Sequence, residues 1–293
     1  MRNTGRAFIF FLYLFMVARL YGDDPVRECR IMTFNIRVNV PSDSLNSWPY
    51  RRDMAASMIR FHRADILGVQ EALAGQVEDL AERLPGYDWF GVGRDDGREE
   101  GEYMAIFYLR ERFSVIRHST FWLSENPDIP GRGWDAACNR VVTWGEFRDA
   151  RSGKKFYHFN THFDHMGDLA REESAKLLKR KIQEIAGNSE AAVTGDFNST
   201  PNSIVYQILT RDSTGGSGFN LADARTVSLN PHHGPTGTFT GFQFTGLLEK
   251  SMPIDYILIT KNIQVIHHGT LSDTFDGSFP SDHMPVLAEI VID

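Results

Sequence analysis

Past residue 25 the apolar positions switch repeatedly between two periods. Arg30–Asn35 (RIMTFN) and the short apolar run Ile66–Val69 (ILGV) predict strands, the second buried on both faces. Asp53–Phe61 between them reads as a helix. Leu73, Val77, Leu80 and Leu84 recur at helical spacing until Pro85-Gly86 stops them. Met104–Leu109, Val141–Phe147 and Lys155–Asn160 alternate as strands do. Asp168 is expected to cap a helix running through Ile185, with Leu178, Ile182 and Ile185 inward, Glu172 paired with Lys176 outside, and Gly187-Asn188 ending it. Ala191–Thr194, Ile254–Ile259, Gln264–His268 and Val286–Ile292 complete the predicted strands, while Gly215–Gly218 and Pro231–Gly241 read as loops. Strands outnumber helices and several follow one another on short connections. That pattern predicts a mixed sheet or two stacked sheets with outer helices, not a purely parallel doubly wound fold.

The first 22 residues have a different character. Arg2 and Arg6 precede an apolar run from Ala7 to Ala18, which has the length of a signal-peptide core and is short for a membrane span. A leader over residues 1–22, cleaved after Gly22, is expected to send the rest to the periplasm or the exterior; an uncleaved anchor is the alternative. No second run of membrane length follows, so no stable membrane insertion is expected once the leader is removed. Residues 23–293 contain no linker, low-complexity tract or repeat, and read as one domain, expected to be a monomer. The only cysteines, Cys29 and Cys138, either form one bridge or remain two thiols, and they exclude a cysteine-based zinc site.

The formal charge of −7 argues against a protein that coats nucleic acid, although a site that grips a few phosphates stays open. Polar residues stand directly after apolar strands: Asn35 after IMTF, Glu71 after ILGVQ, His162 and Asp164 after FYHFNT, Asp196 and Asn198 after AAVTG. Asp282-His283 stand just before MPVLAEIVI. Singly, Asn35 or Asn198 reads as a turn residue, Glu71 as a helix N-terminal carboxylate and His162 as a buried imidazole. Together they converge along one sheet edge. Their types suit hydrolysis of a phosphate ester, which needs a hard cation held by oxygens, an activated water and donors for charged oxygens. Mg2+ or Mn2+ is the expected metal.

TFN (33–35), QE (70–71), NTHFDH (160–165), GDFN (195–198), IDY (254–256) and SDH (281–283) resemble, in order, the endonuclease/exonuclease/phosphatase superfamily. The resemblance spans about residues 28–293 and implies an α/β (α+β) fold, a four-layer α/β/β/α sandwich of two packed mixed β-sheets. It implies Glu71 as the principal Mg2+ ligand, with Asn35 and Asp282 completing the metal and phosphate cradle. Asp196 resembles the residue that orients or deprotonates the attacking water, and Asn198 the amide that holds phosphate or water. His283 resembles an imidazole facing the scissile phosphate, its tautomer fixed by Asp255; His162 resembles a second such imidazole, paired with Glu102. Arg140 is expected to clamp a phosphate oxygen or else to be a surface strand-end arginine. Arg171, Arg37 and Arg51 are further expected donors, and Trp48, Trp134 and Trp122 either stack a base or sugar ring or simply pack.

NIR (35–37), SWPYRR (47–52), GWDAA (133–137) and NTHFDH with Arg171 downstream resemble exported bacterial members of the superfamily, distantly similar to deadenylase-type and pancreatic-deoxyribonuclease-type enzymes. The expected activity is metal-dependent phosphodiester hydrolysis on a nucleotide or on short or single-stranded nucleic acid. The alternatives are a phospholipid headgroup, a phosphorylated glycan or a sugar phosphate as substrate. A catalytically silent binding protein is the reading from another class, and the intact acidic and imidazole positions oppose it.

Overall fold

The computed structural model describes residues 28–211, 219–243 and 251–292; the expected leader over 1–22 and the expected loop Gly215–Gly218 lie outside them. Two six-stranded sheets pack face to face. The first has the order β11-β12-β1-β2-β4-β3, from β1 (Glu28–Asn35), β2 (Ile66–Gln70), β3 (Tyr87–Phe90), β4 (Ile106–Leu109), β11 (Gln264–Thr270) and β12 (Val286–Val291). The second has the order β5-β6-β7-β8-β10-β9, from β5 (Phe113–Trp122), β6 (Val141–Asp149), β7 (Lys155–His162), β8 (Ala191–Asp196), β9 (Leu221–Asp223) and β10 (Asp255–Thr260). One parallel pair lies at the centre of each sheet, β1 with β2 and β7 with β8, and their neighbours run antiparallel. Helices α1 (Trp48–His62) and α2 (Ala74–Arg83) cover the outside of the first sheet; α3 (Asp168–Ala186) and α4 (Ile204–Thr210) cover the second. A fifth, one-turn helix, α5 (Ala224–Val227), follows β9. The four-layer α/β/β/α sandwich expected from the sequence is the fold.

The core is divided accordingly. Ile31, Ile66, Ile106, Phe147, Phe156, Ile257 and Ile290 fill the space between the sheets, and separate apolar clusters sit under each helical layer. A polar layer crosses the inner core between the central parallel pairs. Gln70 Nε2 donates to Thr33 Oγ1 (3.0 Å) and Asn160 Oδ1 (2.6 Å), while Asn160 Nδ2 donates to the carbonyls of Val69 and Ala105. Thr194 Oγ1 donates to Asn160 Oδ1 at 3.1 Å. Hydrogen bonds have narrow distance and angle requirements, so this layer fixes how the ends of β1 and β2 sit against those of β7 and β8.

Several boundaries differ from the predictions. Helix α1 starts at Trp48-Pro49, five residues before the expected Asp53, because a proline fits the first turn of a helix. Strands β3, β5 and β9 and helix α4 carry no clear sequence signal; β5 is an edge strand with a largely exposed middle, which weakens its alternation. Asp168 does not cap α3. Gly167 is the cap residue, Asp135 from a distant loop accepts from the Leu169 and Ala170 amides, and Asp168 is held by Arg171. Lys176 pairs with Glu173 (2.6 Å), not Glu172. Cys29 and Cys138 are two free thiols.

Candidate active site

The strand ends meet at a cavity of about 400 Å3. Its floor comes from both sheets: Glu71 from the first, Asp196 and Asn198 from the second, with Asp282 and His283 on the segment entering β12. Glu71 and Asn198 have φ values of 63° and 45°, left-handed conformations that non-glycine residues adopt at a cost, and which turn them out of the strand direction just past β2 and β8.

Asn35 joins the two carboxylates. Its Nδ2 donates to Glu71 Oε1 (2.9 Å) and Asp196 Oδ2 (3.0 Å), while its Oδ1 accepts from the Arg37 backbone N–H (3.0 Å). Only an oxygen can accept there, so the amide turns its NH2 to the carboxylates. Asn35 therefore aligns Glu71 and Asp196, and its oxygen faces the Arg37 amide where the sequence reading had it completing the metal cradle. The Val38 amide holds the other Glu71 oxygen at 3.0 Å. Burial alone would raise Glu71, but the nearby His283 and these two hydrogen bonds keep its carboxyl below the usual range.

His283 is clamped as expected. Its Nδ1 lies 2.9 Å from Asp255 Oδ2, which also accepts from Thr238 Oγ1, and its Nε2 lies 3.7 Å from Asp196 Oδ2. Burial opposes a charged imidazole, yet Asp255 and Asp196 outweigh it and raise His283 to about 10. Asp196 itself is pushed up to about 7 by burial and by the Asp255 and Glu71 charges. His162 behaves oppositely: burial, then the Arg140 and Arg94 charges, hold it well below the usual imidazole range, so it is neutral. The Asn198 amide, which also donates to the Phe163 carbonyl, donates to its Nε2 at 3.0 Å, leaving the proton on Nδ1.

Other expected site residues are arranged differently. Glu102 does not pair with His162; it is bound by Arg94 at 2.5 Å, and His162 Nδ1 has no partner. Arg140 is buried, not a surface arginine. Its Nε donates to Asp164 (3.3 Å), its Nη2 lies 3.0 Å from His165 Nδ1, and its Nη1 is unpartnered at the cavity. Asp164 also accepts from the Ala137, Met166 and Gly167 amides, which makes it the organiser of this loop. Arg37 lines the cavity but is bidentate to Asp43. Arg171 is turned away to the Asp164 carbonyl and Asp168, and Arg51 is wholly buried, tying the Ile36 and Pro280 carbonyls together. None of the three tryptophans lines the cavity. Trp48 is in the core and bonds Asp79, Trp134 packs against the second helical layer, and Trp122 donates to the Arg94 carbonyl. Sequence reasoning missed Arg94, Cys138 and His165 as cavity residues; the glycine-rich GVGRDDG segment was the only local hint for Arg94.

The donor set fits a hard divalent cation. Ligand atoms of Glu71, Asp196 and His283 lie within 4.8 Å of one another. Because His283 is raised to about 10 and held by Asp255, the carboxylates are the available ligands, and Asp282 adds another at the same cavity. Oxygen ligands of this kind suit hard divalent cations, Mg2+, Mn2+ and Ca2+ among them.

A two-sheet sandwich with an acidic, histidine-flanked cleft at its strand ends defines a class, and comparison with known proteins identifies it. Residues 32–283 match the Endonuclease/Exonuclease/phosphatase family, and the chain belongs to it. A Bacteroides vulgatus protein of this family is 42% identical, with a TM-score of 0.85 over 91% of this chain and 99% of its own. A mannosyl-6-phosphatase from Bacteroides thetaiotaomicron is 37% identical, with a TM-score of 0.82 over 90% of this chain and 99% of its own. The CCR4-Not complex 3'-5'-exoribonuclease subunit Ccr4 of Candida albicans is 23% identical over 83% of this chain and 37% of its own length.

Proposed function

We propose that this protein is a Mg2+- or Mn2+-dependent phosphatase that removes a terminal phosphate from a compact, sugar-like substrate. The observation that carries this reading is the cavity itself. At about 400 Å3 it accommodates one phosphate and one ring, and its arginines, Arg37, Arg94 and Arg140, are already matched by Asp43, Glu102 and Asp164. Paired cations around a small cavity suit one phosphate better than a polyanionic strand. This favours the sugar-phosphate alternative of the sequence reading over nucleic acid, and the mannosyl-6-phosphatase relative supports it.

Glu71 and Asp282 would hold the cation, which would neutralise phosphate oxygens that this acidic floor otherwise repels. Asp196, which Asn35 aligns beside Glu71, is suited to take a proton from the attacking water as that water's oxygen bonds to phosphorus and the bond to the sugar oxygen breaks, the leaving oxygen taking a proton from solvent. His283, protonated and held by Asp255, donates to a non-bridging oxygen, and Arg140 Nη1 is a further donor, while Asn198 spends both amide hydrogens on His162 and the Phe163 carbonyl and so positions that imidazole. Residues 1–22 serve in this reading as an export leader, tested by sequencing the N-terminus of the protein released by an expressing bacterium; a product that starts at Met1 contradicts it.

The deciding assay compares mannose 6-phosphate, p-nitrophenyl phosphate, bis-p-nitrophenyl phosphate, DNA and RNA with Mg2+. Faster turnover of monoesters supports the proposal, and preferential cleavage of either nucleic acid overturns it.

A further inference from the structure

A second cavity, of about 700 Å3, opens on the outer side of the first sheet beside the C-terminal end of α1, β11 and the start of β1. It does not overlap the catalytic cavity. Arg30 lines it, five residues back along β1 from Asn35, which at about 3.3 Å per residue is roughly 16 Å from the catalytic floor. Its wall carries three arginines, Arg30, Arg60 and Arg63, against one carboxylate, Glu289, on a chain whose net charge is −7, and four histidines, His62, His233, His267 and His268, complete its polar lining.

Two observations distinguish this wall from an ordinary charged surface. Glu289 is taken by Arg30 (3.3 Å) and His267 (2.9 Å), and Asp273 takes His62 (3.0 Å), whereas Arg60 and Arg63 have no carboxylate partner among the described residues, and Arg60 commits only Nη1, to the Arg83 carbonyl (2.8 Å). A neighbouring cavity shares both arginines and adds Arg151, which also lacks a carboxylate partner among the described residues; of its carboxylates, Glu289 is taken by Arg30 and Asp65 by Arg112, and Glu28 stands exposed at its edge. The arginines of the catalytic cavity, by contrast, are all paired. In addition, Phe61 stands 77% exposed between Arg60 and Arg63, an apolar ring face beside guanidinium groups. Protein sites for anionic sugars combine these two elements, a flat ring for the pyranose face and planar cations for its charged substituents.

We infer that this face is an exosite for an anionic oligosaccharide, with Arg60, Arg63 and Arg151 gripping its phosphate, sulfate or carboxylate groups and Phe61 stacking on a sugar ring. The choice of a glycan over other polyanions rests partly on the sugar-phosphate reading above; the basic face itself does not. The site holds the chain that bears the substrate and takes no part in the chemistry.

The test measures binding of a sulfated tetrasaccharide, a neutral tetrasaccharide and a single-stranded oligonucleotide of equal charge to the whole protein at fixed ionic strength. The Arg60→Ser/Arg63→Ser and Phe61→Ala variants are measured alongside, and turnover of p-nitrophenyl phosphate is followed in each. These side chains are exposed, so the variants are expected to fold, which the turnover verifies. The expected result is binding of the sulfated sugar alone, weakened about tenfold or more by the double arginine change and about threefold or more by Phe61→Ala, with turnover unchanged. Equal binding of the oligonucleotide overturns the glycan assignment, and variants that bind like the parent overturn the site. Because the readout is binding, failure of the proposed phosphatase activity leaves these outcomes unaffected.

Discussion

Asn35 shows how much one amide contributes. With Oδ1 fixed by a backbone N–H, its NH2 holds Glu71 and Asp196 with carboxylate oxygens within 4.8 Å of each other, while the left-handed backbone of Glu71 aims that carboxylate inward. Asp196→Asn and His283→Ala are each expected to lower kcat on the preferred phosphate ester by about 10²-fold or more. Because the groups act as a unit, the double variant should be scarcely worse than the poorer single one; multiplicative losses would show independent roles. Glu102 permits a sharper test, since the structure binds it to Arg94. Glu102→Gln should therefore alter KM through Arg94 while leaving kcat within about fivefold. A kcat loss near 10²-fold would return Glu102 to a role on His162. The resemblance made the residue types of the cradle legible, yet Glu102 shows that a matched position can acquire a different partner when an arginine stands nearby.

At the scale of elements, the site depends on how closely β2 approaches β7 and β8. Gly68 allows that approach: a Cβ there would lie 2.1 Å from Thr194 Oγ1 and 2.5 Å from Asn160 Oδ1, within the polar layer that sets the sheets together. Gly68→Ala is expected to destabilise the protein by about 1–3 kcal/mol and to lower activity as the strand ends shift. Denaturant unfolding and turnover of the same preparation check both effects, and a variant of parental stability would mean that the sheets part at no cost. The buried strands were readable because both faces are apolar. Strands β3 and β5 lie at or near sheet edges, where half the residues meet water and alternation fades, and helix α3 is capped by Asp135, a residue too remote in sequence for local spacing to indicate.

For the molecule as a whole, buried histidines tie stability to pH. Burial, with His232 and Arg225 nearby, lowers His268 to about 3, so it is neutral in the fold and protonates near its ordinary value once unfolded. The unfolded chain then binds the extra proton. The His268 contribution is complete above about pH 6.5 and is lost as pH falls toward 3, at about 1.4 kcal/mol per pH unit. A His268→Gln variant should have a stability–pH curve flatter by about one proton between pH 6.5 and 4; an unchanged slope would contradict this. The acidic floor gives a second expectation: EDTA should abolish turnover and lower Tm, and Mg2+ or Mn2+ should restore both, since a cation relieves repulsion between Glu71, Asp196 and Asp282 only in the folded state. Full activity in EDTA would remove the metal from the mechanism. By itself the sequence determined the layered fold and the family and named many of the residues that line the cavity, because apolar period and strand-end chemistry are local properties. The tertiary structure alone decided that Arg94 takes Glu102, that Arg171, Arg51 and the tryptophans stand outside the cavity, and that Arg60 and Arg63, which have no carboxylate partner among the described residues, gather at a second cavity. Which partner a long charged side chain reaches depends on groups tens of residues away, and only packing brings those within hydrogen-bonding distance.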